Sequence, residues 1–378
     1  MPRTIFQQGN FMNEKSHIYC GRKTWLEGPA VEQFNRVMTF PGILRGAGFP
    51  DLHPGRGVPV GAAFLSEKLL YPALIGNDIG CGMTLFATGV SQRKFKAAKL
   101  LRRLGADPES ALRQAALEQL PVMGPSPADP EGMLGTLGHG NHFAEFLAVE
   151  KVADAGVCAA LNLSKGDVLL LVHSGSRCYG EMLWRGTAAA HGDEGLPFDS
   201  PDGRAYLERH AQLIEWARFN RRLTAGALGA MAGCQLKELL DCVHNSITPC
   251  GDGQFLHRKG ASAVEPGAPV VVAGSRGAFS YLVVPQGTGV ENLHSLAHGA
   301  GRKWNRQSTY DRVRAKHDDI QSLLKTKLGT QVVCPEKSLL YEEAPEAYKE
   351  IGSVIADLRE SGLASVAAEL RPLINIKP

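Results

Sequence analysis

Five consecutive apolar residues, Val168 to Val172, run straight into His173-Ser-Gly-Ser-Arg177, and this abrupt change most restricts the possible folds. An apolar stretch that short, bounded by turn residues, reads as a β-strand covered on both faces, with its polar end delivered to a loop. The pattern recurs in PVVVAGSRGAFSYLVVP (269–285), read as strand, glycine loop, strand, and in 69–90, read as two short apolar strands flanking a tight glycine turn. Helical spacing fills 92–120, with Asp107-Pro108 as the expected cap of a second helix. One long helix is expected from Gly203 to Leu240, and helix, turn, helix and a short extended tail from 343 onward. The first 45 or so residues read as mixed strand and helix, the Gly/Pro-dense stretch 38–64 as loop-rich, and Pro121–Pro130 as an exposed loop. The expected fold class is α+β, a mixed α/β protein whose polar motifs sit at strand ends, where sites tend to lie.

Charge says little about partners. Lys+Arg number 41 and Asp+Glu 38, a net +3 that is too balanced to mark a nucleic-acid binder, because phosphate binding needs a local basic patch. Residues 1–17 lack the apolar core of a signal peptide, and no stretch reaches the roughly 20 apolar residues that span a bilayer. The eight cysteines show no CxxC pair, so reduced thiols in a cytoplasmic protein are expected.

Three sets of residues carry chemistry. Asp78 and Cys81 in NDIGCGM, with His142, His173 and His244, form a borderline-soft donor set suited to Zn²⁺, Mn²⁺, Fe²⁺ or Co²⁺. Glycines 80 and 82 allow the sharp turn that points carboxylate and thiolate into one cavity. A thiolate can bridge two ions, and a pair about 3.5–4 Å apart suits phosphoryl chemistry. Taken singly, a histidine is more often a surface or capped residue than a ligand, and DxxC is a weak pattern. HSLAHGAGR holds His294, His298 and Arg302; the Gly-Ala-Gly after His298 lets a phosphate approach its ring, and a neutral imidazole is a competent nucleophile toward phosphorus. The same residues also suit a glycine-rich turn supported by Arg302. Anion-cradling loops follow: Gly274, Ser275, Arg276, Gly277 and Ser280; Ser174 to Arg177; and His53 to Gly57. None matches a P-loop or dinucleotide fingerprint.

Ten motifs in order, PDLHPGRGVPVG, NDIGCGM, GTLGHGNHFAEF, HSGSR, WARFNR, VHN, HRKGA, GSRGAFSYLV, HGAGR and EEAPEAYKEI, cover nearly the whole chain. Together they resemble the RtcB family of RNA ligases. The resemblance implies a single domain over 1–378 with sheets and helices around a central metal and nucleotide cleft. It implies metal ligands at Asp78, Cys81, His142, His173 and His244, holding Mn²⁺ as two ions. It also implies GMP carried on His298, with nucleotide contacts at Asn141, His142, Phe143, Glu145, Asn245, Gly274, Ser275, Ser280, Gly299, Ala300, Gly301 and Lys377.

The implied reaction joins RNA 3′-phosphate or 2′,3′-cyclic-phosphate ends to 5′-hydroxyl ends with GTP, in RNA repair or transfer-RNA splicing, with an archease-type activator as a possible partner. Arg56, Arg177, Arg258 and Lys259 are candidates for RNA phosphates. The chain departs from the family pattern at Ala273 and Arg276 (commonly PGSMG), at Cys178-Tyr179 and at Ala297. No ligand is lost, so these changes bear on substrate, in the direction of a specialised repair paralogue. Two rival readings use the same residues: a metal-dependent phosphoesterase or cyclic phosphodiesterase that forms no adduct, and a non-catalytic RNA-binding protein.

Overall fold

In the computed structural model, residues 15–317 and 319–377 are described; most of the segment lacking a signal-peptide core lies outside them. Strand β1 (Ser16–Ile18) and helix α1 (Gly28–Val37) precede a hairpin of β2 (Ile43–His53) and β3 (Val60–Glu67). The expectation of loops over 38–64 is therefore wrong. Its glycines serve packing: a Cβ on Gly46 would lie 3.0 Å from the Phe34 ring, so the missing side chain lets α1 lie against the sheet. Pro50 falls where the β2–β3 register shifts, between Gly48 and His53, and so interrupts no ladder.

Of the two strands expected over 69–90, the first is the stub β4 (Leu69–Leu70) and the second is the full strand β5 (Gly82–Ser91). Helices α2 (Ala97–Leu104) and α3 (Pro108–Met123) follow, and Asp107 caps α3 as expected, accepting from the Ser110 N–H at 3.1 Å. The helix runs through Pro121, so the exposed loop starts at Gly124. Next come β6 (Phe143–Val152), α4 (Ala155–Ala160), β7 (Asp167–Ser174), α5 (Cys178–His191), β8 (Leu196–Pro197) and the 32-residue α6 (Pro201–Ala232). The long helix ends before Leu240 because Gly233 takes a left-handed conformation (φ +75°) and Cys234 N–H closes back on Gly229 O. The chain then re-enters the sheet as β9 (Lys237–Val243).

Short strands β10 (Asn245–Gly251), β11 (Gln254–Lys259), β12 (Ala261–Ala263), β13 (Val270–Val272), β14 (Ser280–Pro285) and β15 (Ser295–Ala297) lead to α7 (Arg306–Arg314), β16 (Gln331–Val333), α8 (Lys337–Glu342), α9 (Ile351–Glu360) and β17 (Ala364–Ile376). The second helix expected near the end is thus a 13-residue strand. Its Ala, Leu and Glu favour helix, but β14 and β6 pair with its two edges and burial overrides propensity.

Among the described residues, β1-β2-β3-β11-β10 form one sheet, and β13-β14-β17-β6-β7-β5-β9 form the larger one, with β16 beside β17. The apolar run in β7 behaves as its sequence requires. Val168, Leu170 and Val172 face a core shared with α2, α3 and α6, while Leu169 and Leu171 face a second core with Leu147, Val149 and Leu370. None of the cysteines, all of which lie among the described residues, is in a disulfide. No helix among the described residues is long and apolar enough to cross a membrane.

Candidate active site

Antiparallel register gathers four of the expected ligands. Gly82 at the start of β5 lies opposite Ser174 at the end of β7 and Val243 at the end of β9, while Phe143 at the start of β6 lies opposite His173. Residues just outside those positions, Cys81, His142 and His244, therefore meet His173 at one edge of the sheet. Gly80 (φ +73°) makes the turn that brings Asp78 to the same point.

The donor atoms converge. Cys81 Sγ lies 3.4 Å from His142 Nε2 and 3.2 Å from His173 Nε2; His173 Nε2 lies 3.2 Å from His244 Nε2; and His142 Nε2 lies 2.7 Å from Asp78 Oδ2. They fall into two sets that share the thiol, Cys81-His173-His244 and Asp78-Cys81-His142. Burial pushes the Cys81 thiol well above its usual range, with Asp78 adding to the effect, and burial keeps His173 and His244 neutral. Burial opposes ionisation of Asp78, yet His142 and Arg177 hold its carboxyl below the ordinary range. Three imidazole Nε2 atoms, a thiol and a carboxylate facing one another fit a first-row divalent cation. The shared sulfur fits a second.

His298 stands beside this cluster, its ring centroid 4.7 Å from that of His244. Its Nδ1 lies 2.7 Å from Asp51 Oδ2, so a proton on Nδ1 held by that carboxylate leaves Nε2 with a free lone pair. Both His298 and His173 line a cavity of about 250 Å³ with the 273–276 and 298–302 loops, and Glu343, Tyr348, Asn375 and Lys377 line it too. The Glu343 carboxylate is wholly buried, 2.9 Å from Arg302 Nη1, and also receives the Tyr348 hydroxyl. Lys377 Nζ donates to Gly140 O at 2.8 Å and to His142 O at 3.1 Å, and burial lowers its pKa to about 8.

Of the expected nucleotide contacts, Asn141, Phe143, Gly274, Ser275, Gly299, Ala300, Gly301 and Lys377 line the cavity. Glu145 does not: it is buried and accepts from Asn375 Nδ2 at 2.9 Å. The Ser280 hydroxyl accepts from Gly274 N–H, and Asn245 ties Asp78 O to the Gly260 N–H, so both brace loops.

The four RNA candidates do not form one surface. Arg56 is exposed in the β2–β3 turn, and Lys259 lies beneath that turn, with its pKa lowered to about 8 by burial and by Arg56. Arg177 donates its backbone N–H to Asp78. Arg258 is corrected: its guanidinium is buried and bonds Ser295, Thr248 and His294 O, out of reach of a phosphate.

Several organising residues escaped the sequence. Arg221, fully buried, pairs with Asp241 at 2.7 Å and donates to Gly80 O and Ser174 O, tying together the loops that carry Cys81 and His173. Asn220 holds Gly135 and Thr136. Both lie in the WARFNR motif, and Asp51 lies in PDLHPGRG, so their presence in those motifs was the available signal.

A family profile described as tRNA-splicing ligase RtcB matches residues 33–121 and 125–378. A protein of Escherichia coli (strain ATCC 25922) named RNA-splicing ligase RtcB2 is 41% identical over 356 residues, 93% of each chain. One of Archaeoglobus fulgidus named tRNA-splicing ligase RtcB is 29% identical over 457 aligned positions, covering 96% of this chain and 94% of its own. One of Mycobacterium tuberculosis named RNA-splicing ligase RtcB is 29% identical and is covered in full, against 91% of this chain. Match and motif order agree over nearly the whole chain: the chain belongs to the RtcB family of tRNA-splicing ligases.

Proposed function

We propose that this RNA ligase joins a 3′-phosphate or 2′,3′-cyclic-phosphate end to a 5′-hydroxyl end, with GTP as energy source and GMP carried on His298. The observation that carries the reading is the His298 ring, held at Nδ1 by Asp51 on the wall of a cavity that adjoins the Cys81 cluster.

His298 Nε2 attacks the α-phosphorus of GTP; the N–P bond forms as the P–O bond to pyrophosphate breaks. A 3′-phosphate oxygen of RNA then takes the GMP, and the N–P electron pair returns to Nε2. A cyclic end is first opened by water to the 3′-phosphate. The 5′-hydroxyl finally attacks the activated phosphorus, and GMP leaves as the phosphodiester forms. Asp51 keeps the Nδ1 proton in place throughout. Manganese, as two ions held by Asp78, Cys81, His142, His173 and His244, would offset phosphate charge when bound. RNA repair or transfer-RNA splicing in the cytoplasm, aided by an archease-type activator, is the setting that the family suits.

Incubation with GTP labelled at the α-phosphate and Mn²⁺, followed by denaturing electrophoresis, is the test. Label should stay with the protein and vanish in His298→Ala. A protein that converts cyclic phosphates without ever retaining label is a phosphoesterase instead.

A further inference from the structure

Asp51 orients a second imidazole besides His298. Its backbone carbonyl lies 2.8 Å from His53 Nδ1, and a carbonyl can only accept, so the proton sits on Nδ1 and the Nε2 lone pair of His53 is left free. Among the described residues that Nε2 meets no hydrogen-bond partner, and it is not sealed from solvent. Burial lowers the His53 pKa to about 4, so the ring is neutral at neutral pH. His53 lines the same cavity as His298. Val60, its partner across the β2–β3 hairpin, lines it too, and a Cβ on Gly260 would lie 2.5 Å from Val60 Cγ1 and 3.1 Å from His298 Cε1. Two imidazoles, each held at Nδ1 by Asp51, thus border one cavity.

Only His298 acts as the nucleophile that carries GMP. The sealing step needs a different service, because a hydroxyl attacks phosphorus poorly until a base takes its proton. Cations lie on the same side as His53. Arg56 is exposed in the turn that follows it, and Lys259 Nζ, 3.5 Å from the place of a Gly55 Cβ, has no ion-pair partner among the described residues. Phosphates of an RNA strand crossing this turn would be matched there, with the 5′ end of the strand at His53. We infer that His53 is the general base of the sealing step. Its Nε2 takes the proton of the RNA 5′-hydroxyl as that oxygen bonds the activated 3′-phosphorus; GMP departs with the electron pair of the broken P–O bond, and the proton then passes from the ring to solvent. The phosphate charge that arrives with the RNA ends favours the imidazolium and so offsets the low basicity of the empty site. The inference rests on the ligase reading above.

The test uses His53→Asn, whose amide can replace Nδ1–H at Asp51 O but leaves no acceptor at Nε2. Protein is given GTP, Mn²⁺, RNA with a 3′-phosphate and RNA with a 5′-hydroxyl, and three events are timed separately: labelling of His298, transfer of GMP to the 3′-phosphate, and sealing. In the variant, sealing should slow by about a hundred-fold or more, RNA bearing GMP on its 3′-phosphate should accumulate, and labelling should slow far less. A strand ending in a 5′-thiol, which ionises at about pH 8.5, should shrink the deficit of the variant. Equal slowing of all three events marks His53 as a brace for Asp51 and overturns the inference, as does sealing at the wild-type rate or an equal deficit with the thiol. If His53→Asn fails to fold, wild type decides alone: sealing of the 5′-hydroxyl strand should be slower in heavy water, and the absence of a solvent effect overturns the inference. A wild-type protein that never labels His298 sinks the ligase reading; one that labels and seals alike with and without His53 sinks this inference only.

Discussion

Asp51 holds His298 twice with a single oxygen: Oδ2 accepts from the His298 backbone N–H at 3.1 Å and lies 2.7 Å from Nδ1. Ring rotation and tautomer are fixed by one atom. Lys349 Nζ donates to Pro50 O and Leu52 O at 2.8 and 2.7 Å, so the strand segment on either side of Asp51 is fixed as well.

Asp51→Asn should therefore slow guanylylation of His298 by about a hundred-fold or more, because the amide no longer enforces a proton on Nδ1. The melting temperature should change little. A variant that labels at the wild-type rate removes Asp51 from the mechanism.

Arg221→Met leaves the mostly covered Asp241 without its main partner and frees the carbonyls of Gly80 and Ser174. Removing one partner of a buried pair costs about 3–5 kcal/mol. Denaturant unfolding should report a loss of that order, and metal content should fall because the Cys81 and His173 loops lose their common anchor. Unchanged stability would show that Arg218, which also bonds Asp241, suffices.

Cys81 belongs to both candidate cation sets, so Cys81→Ala should lower bound metal at both, whereas His244→Ala should chiefly affect one. Elemental analysis of protein equilibrated with Mn²⁺ measures this directly. Chelation should abolish label transfer from GTP, and added Mn²⁺ should restore it. Retention of full metal content by Cys81→Ala would rule out a bridging thiolate.

Burial raises the Glu145 pKa from 4.5 to about 8. Between those values the folded protein keeps a proton that the unfolded chain has released, so stability falls as pH rises through that window. Glu145→Gln should flatten this fall in melting curves taken from pH 5 to pH 8. Lys377 works in the opposite sense: its pKa is lowered by burial from 10.5 to about 8, so its burial penalty is relieved as pH rises from 8 toward 10.5. A Glu145→Gln protein with the wild-type pH dependence would mean that Glu145 is ionised when folded.

The convergence of the candidate ligands was more legible than the framework that brings them together. Asp78, Cys81, His142, His173, His244 and His298, which the structure brings together, are weak patterns one by one, and the resemblance of the ten motifs to the RtcB family is what joins them into one expected site. Arg221 could not, because nothing in a helix sequence tells a buried arginine from a solvated one. The strand at 364–376 was read as helix because Ala, Glu and Leu carry helical propensity, and only the edges of β14 and β6 reveal the competing demand. Arg258 looked like a phosphate ligand beside Lys259 for a related reason: alternation along β11 turns one basic residue inward, and sequence alone does not say which.

The placement of β17 between β14 and β6 has a consequence for biosynthesis. The ribosome makes residues 364–376 after both neighbours, so a nascent polypeptide that stops short of Ala364 has an unzipped sheet and no Lys377 near Gly140. Catalytic competence is thereby deferred until translation has passed this segment, and prematurely terminated products should be inert toward GTP.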